Sequence, residues 1–130
     1  MKRFLIAAAL AAATMMTATI ARADQIIGSY VAYIGQDDLY NSKGARLSEP
    51  WQILRQDRAN YHRFGISQPG DEWDPFFGSM ENRGIMERMI MNGSIEPAAA
   101  RNLLRGGATV FVRIYGTGNR GHYVNVTVTR

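Results

Sequence analysis

Two stretches of the sequence gather the residue types that do chemistry. Arg55–Arg63 is the densest run of hydrogen-bonding side chains, and Asp71–Asp74 puts three carboxylates and a tryptophan into four residues. On a helix, Arg55, Ala59, His62 and Arg63 fall toward one side, and Asp57 comes within i,i+4 reach of Tyr61. Arginines offer planar, multidentate donors suited to carboxylates and phosphates, so this segment can present a face to an anionic group. The competing reading is a solvated helix face on which Asp57 pairs with a neighbouring arginine.

The acidic run also reads in more than one way. Asp71, Glu72 and Asp74 could bind a hard cation, although the alternating spacing of a calcium loop is missing. They could supply a base with a raised pKa if the neighbouring aromatics exclude water. Acids beside glycine and proline turns also act as local caps and arginine partners. If His62 reaches this loop, a His–carboxylate pair for general acid–base chemistry results. The expected binding set is therefore Arg55, Arg58, His62, Arg63, Asp71, Glu72, Trp73 and Asp74. No catalytic residue, metal ligand or cofactor is assigned.

Other candidates carry less. His122 begins a strand and has no second histidine at ligand spacing. The glycine-rich stretch 116–121 resembles a phosphate cradle but leads into a strand rather than a helix N-terminus, so it reads as a hairpin loop. Met86 and Met89 fit a core stripe, whereas Met80 and Met91 fall outside it. With no cysteine, disulfide frameworks, thiolate metal sites and cysteine nucleophiles are excluded.

The amino terminus reads as an address. Lys2 and Arg3 precede an apolar run from Phe4 to Ile20, followed by Ala21, Arg22 and Ala23, which is the order of a secretory signal peptide cut after Ala23. The run is rich in alanine and threonine and is too weakly apolar for a stable membrane anchor. Residues 1–23 are thus expected to leave, and residues 24–130 to form a single small domain in the periplasm or outside the cell. Three basic residues depart with the signal, leaving twelve against eleven acids. Bulk charge therefore gives no reason to expect a nucleic-acid partner.

The elements that must position these groups follow from periodicity. Ile26–Ile34 is β-branched and aromatic and reads as a strand. Ser48 reads as an N-cap for a helix over Glu49–Arg63, whose Trp51, Leu54, Tyr61 and Phe64 should be buried. Gly65–Gly78 is an ordered loop pinned by aromatics. Ser79 caps a second helix to Asn92, and Pro97 opens a third that ends at Arg105 before two glycines. Ala108–Tyr115 and His122–Thr129 form an antiparallel hairpin. The expected fold is α+β: one N-terminal strand plus a C-terminal hairpin in a small, mostly antiparallel sheet packed against about three helices.

The expected function is that of a small, non-enzymatic exported bacterial domain that binds a protein or anionic ligand through the Arg55–Arg63 face and the Asp71–Phe77 loop. The alternative is a hydrolase-like enzyme that uses His62 with an acid of the Asp71–Asp74 loop. Processing is checked by mass spectrometry of the exported protein, which should begin at Asp24. An intact soluble cytosolic form starting at Met1 would contradict it.

Overall fold

The computed structural model describes residues 23–130, so all but the last residue of the expected signal segment lies outside the described residues. Strand β1 (Gln25–Ile34) is followed by a 3-10 turn (Gln36–Leu39), and then by helix α1 (Pro50–Ala59), which runs on into a π-helical turn (Asn60–Phe64). Helices α2 (Met80–Gly84) and α3 (Met86–Asn92) lead to a two-residue strand β2 (Ser94–Ile95). Helix α4 (Pro97–Arg105) then precedes strands β3 (Ala108–Thr117) and β4 (Arg120–Thr129). Among the described residues, no helix is long and apolar enough to cross a membrane.

The sheet has the order β1-β3-β4-β2. The β1/β3 and β3/β4 pairs are antiparallel, and β2 lies parallel to β4. The α+β fold and the sheet built on one N-terminal strand and a C-terminal hairpin agree with the expectation; among the described residues the α-helices number four, and β2 is an addition. Alternation along the strands puts Tyr30, Ala32, Ile34, Val110, Val112, Ile114, Val124 and Val126 on the buried face. Against them pack Ile53 and Leu54 of α1, Met86 and Met89 of α3, Leu103 of α4, and Phe76 and Phe77 from the preceding loop. On the opposite face Tyr115 and Tyr123 stack with their ring centroids 4.7 Å apart.

Several local expectations change. The N-cap of α1 is Glu49 rather than Ser48, and the Gln52 side chain reaches back to accept from both the Ser48 and Glu49 amides at 3.1 Å. The buried stripe of α1 is Ile53, Leu54, Asp57 and Arg58, while Trp51 and Tyr61 are only half-buried and Phe64 is exposed. The wider π turn advances the register at the end of the helix and carries Phe64 away from the core. The second helix is broken at Ile85 into two pieces, although Ser79 does cap it, accepting from the Asn82 amide.

The hairpin strands also extend through most of the glycine-rich stretch, leaving a turn at Gly118 and Asn119. Gly121 lies against the Phe76 ring and the Met89 side chain, where a Cβ would fall 2.4 and 2.6 Å from their atoms. These glycines permit close packing.

Gly93 ends α3 where the chain turns into β2, and a Cβ there would meet the Val124 carbonyl oxygen at 1.7 Å. The obstacle is backbone of a central strand and cannot rotate aside. Gly93→Ala should therefore lower stability by about 1–3 kcal/mol, the usual range for overpacking a tight site. Urea denaturation checks it, and an unchanged midpoint would show that β2 is free to shift.

Candidate functional site

The Arg58 guanidinium is fully buried at the junction of helix, loop and sheet. It follows Ile53 and Leu54 by four or five residues, so the turn that buries those apolar side chains carries Asp57 and Arg58 inward as well. Arg58 Nε donates to Asp57 Oδ2 at 2.8 Å, and Nη1 donates to Asp74 Oδ1 at 3.0 Å and to the Glu72 carbonyl at 2.9 Å. Its plane lies over the Tyr30 ring, 3.9 Å from the centroid, with Tyr61 at 4.8 Å. Removing one partner from a buried pair of this kind typically costs about 3–5 kcal/mol, because a charge is stranded. Among the described residues, the Tyr30 hydroxyl, Asp57 Oδ1 and Arg58 Nη2 find no hydrogen-bond partner, so the cluster is incompletely satisfied.

The three carboxylates of the acidic run go to separate partners. Asp71 Oδ1 accepts from the Tyr33 amide and Glu72 Oε1 from the Val31 amide, each at 2.8 Å, while the Glu72 amide donates to the Val31 carbonyl at 2.8 Å. These contacts cover the free edge of β1, an exposed ladder that would otherwise invite pairing with another chain. Asp74 turns inward, accepting from Arg58 and His62 Nε2 through Oδ1 and from the Phe76 and Phe77 amides through Oδ2. Burial alone would raise its pKa, but the Phe77 amide, His62, Arg58 and the Phe76 amide together hold it below the usual carboxylate value. Asp57 has fewer donors, and burial raises its carboxyl despite Arg58.

His62 thus does reach Asp74, at 2.7 Å, and both are largely buried. Asp74 is a saturated acceptor that ties the loop to the helix. Of the remaining expected residues, Arg58 is internal, Asp71 and Glu72 sit on the β1 edge, and Trp73 projects outward with 64% of its surface exposed. Arg55 and Arg63 face solvent, with Arg55 over the Trp51 ring at 4.8 Å and Arg63 over the Phe64 ring at 4.9 Å.

Arg55 and Arg63 share a groove of about 260 Å³ with a residue that sequence reasoning did not select, Arg83 of α2. No carboxylate lines this groove. Arg83 Nη1 donates to the Phe77 carbonyl at 2.9 Å and the Gly78 carbonyl at 3.1 Å, which fixes the guanidinium. Only 6% of Arg83 is exposed, and among the described residues no carboxylate pairs with it. Burial first, and then the charge of Arg63, lower its pKa; Asp74 acts weakly in the other direction. The signal available in the sequence was position: Arg83 lies three residues before Met86 and seven before Ile90, on the apolar stripe itself.

A second basic groove of about 340 Å³ contains Arg88, Arg120 and His122. Both arginines there are exposed, and Asp24 accepts from His122 Nδ1 at 2.7 Å. A larger groove of about 590 Å³ lies beside the π turn, between it and the segment from Asp37 to Ser42. Its Asn60 donates to the Asp37 carbonyl at 3.2 Å and to Asp38 Oδ1 at 2.9 Å, and it accepts from Gln56 at 2.8 Å.

No family model, curated protein or solved structure matches the chain.

Asp38, beneath this groove, provides a test of the electrostatics. Burial raises its carboxyl from 3.8 to about 6, against hydrogen bonds from Asn60 and the Gly35 amide that favour the anion. A carboxyl that binds its proton more tightly in the folded than in the unfolded chain contributes stability below the unfolded value, and loses it as pH rises through the folded value. The native protein should therefore lose stability between about pH 4 and pH 6 on this account. Asp38→Asn, whatever its absolute stability, should show a shallower decline across that interval in denaturation at a series of pH values. An unchanged slope would assign the decline elsewhere.

Proposed function

We propose that this chain is an exported, non-enzymatic binding domain whose groove at Arg55, Arg63 and Arg83 takes an anionic group. Export rests on the amino-terminal pattern of charge, apolar run and small residues. The anion site rests chiefly on Arg83, a nearly buried cation with no carboxylate partner, held by two backbone carbonyls and lining an open groove. A partly desolvated charge without a counter-ion is unfavourable in the folded state, and a phosphate or carboxylate in the groove offsets that cost. The fixed guanidinium is already oriented, so less is lost on binding than at a mobile side chain. The exposed Arg88 and Arg120 lack this argument, because water already solvates them.

A catalytic use of His62 with Asp74 has one observation in its favour, their 2.7 Å contact. Against it, Asp74 accepts from four donors and has its proton affinity lowered, so it positions His62 and anchors the loop rather than accepting a proton.

Inorganic phosphate, added at constant ionic strength in place of chloride, should raise the thermal midpoint, since a ligand of the native state stabilises by about 2.7 kcal/mol at a hundredfold excess over Kd. Arg63→Gln, on the exposed side of the groove, should weaken that gain, and Arg83→Gln should abolish it, while Arg88→Gln in the other groove should keep it. Equal stabilisation by chloride, or a full phosphate effect in both Arg63→Gln and Arg83→Gln, would overturn the reading.

A further inference from the structure

The arginine groove does not end at its arginines. Gln56 lines both it and the larger groove beside the π turn. The two are joined a second time at Arg63 and Phe64: the guanidinium lies in the arginine groove and over the Phe64 ring, and Phe64 lines the larger groove. From these junctions we propose that the two grooves form one site and that its ligand is a sugar bearing a phosphate or carboxylate. This rests on the anion reading above and names the ligand class for it.

The chemistry of the larger groove selects the uncharged part. Tyr40, Phe64 and Ile66, each between two-fifths and half exposed, converge on it, so that exposed apolar surface is gathered in one groove rather than scattered singly. The π turn is what brings Phe64 there, and such turns are frequent at functional sites. Between the apolar side chains stand Asp37, Asn41, Ser42 and Gln56. Asn41 spends its Oδ1 on the Lys43 and Ala45 amides and keeps its amide nitrogen, and Gln56 spends its nitrogen on Asn60 and keeps its oxygen. Donors and acceptors are thus both available, with no arginine or lysine among the lining residues.

A purely apolar body would strip water from these polar groups without replacing the hydrogen bonds, which is unfavourable. A pyranose ring offers a C–H face to Tyr40 or Phe64 and hydroxyls to Asp37, Asn41, Ser42 and Gln56. Its anionic substituent then lies at Arg63 and Arg83. The volume of about 590 Å³ is within the range of small-molecule sites.

Isothermal titration with glucose 1-phosphate, glucuronate, phenyl phosphate, inorganic phosphate and acetate tests the assignment. At least one sugar acid should bind roughly tenfold or more tighter than its own head-group anion, phosphate or acetate. Phenyl phosphate should show no such gain. Tyr40→Ala, at an exposed position outside the arginine groove, should remove the sugar advantage and leave phosphate binding intact, and Phe64→Ala should remove the sugar advantage whatever its effect on phosphate through Arg63. The proposal is overturned if neither sugar acid exceeds its head group, if phenyl phosphate matches glucose 1-phosphate, or if the advantage survives both alanine variants. In each of these cases phosphate still binds and the anion site stands; failure of phosphate itself overturns both.

Discussion

The Arg58 guanidinium is the constraint around which the rest is arranged. A buried arginine needs counter-charge and acceptors, and here they come from three directions: Asp57 beside it on the helix, Asp74 and the Glu72 carbonyl from the loop, and the Tyr30 ring from the sheet. Satisfying it draws the loop across the end of β1. Once the loop is there, Asp71 accepts from the Tyr33 amide and Glu72 from the Val31 amide, which covers that part of the sheet edge. Phe76 and Phe77 then enter the core from the same loop, with their amides held by the other oxygen of Asp74. Among the described residues, the Tyr30 hydroxyl, Asp57 Oδ1 and Arg58 Nη2 are left unpaired, so the cluster fixes where the loop docks at the cost of some buried polar groups.

That internal demand shapes the surface. Three of the eleven carboxylates, Asp38, Asp57 and Asp74, are buried, and Asp71 and Glu72 are spent on β1. The exterior is therefore more basic than the composition implies. At Arg83 the imbalance becomes local, because the carboxylate nearest in the loop is already committed to Arg58 and His62. A single set of acids cannot neutralise both arginines, and Arg83 is the one left open toward a groove.

The elements were legible in the sequence where one period governed them. Alternation in β3 and β4, the proline at the start of α4 and the glycine after α3 all act locally. The parallel two-residue β2 was not legible, because it depends on tertiary contacts with β4, the close approach at Gly93 and the Ser94–Asn125 hydrogen bond. The faces of α1 were misjudged for a different reason: aromatics were expected inside, but a buried ion cluster pulled Asp57 and Arg58 inward and a π turn moved Phe64 out. Of the residues in the Arg55–Arg63 and Asp71–Asp74 segments, Arg58 and His62 meet Asp74, whereas Arg55 and Arg63 face solvent and Asp71 and Glu72 go to β1. Charge count along the chain could not tell which of them would be consumed internally. Arg83 was overlooked because an apolar stripe draws attention to its methionines and not to the cation on it.

The most direct measurement is a crystal of residues 24–130 soaked in selenate and read by anomalous scattering. The account predicts a selenium peak within hydrogen-bond reach of the Arg83 guanidinium, between Arg55 and Arg63, at higher occupancy than any peak beside Arg88 and Arg120. Selenate confined to the Arg88 and Arg120 groove, with Arg83 left bare, would contradict it.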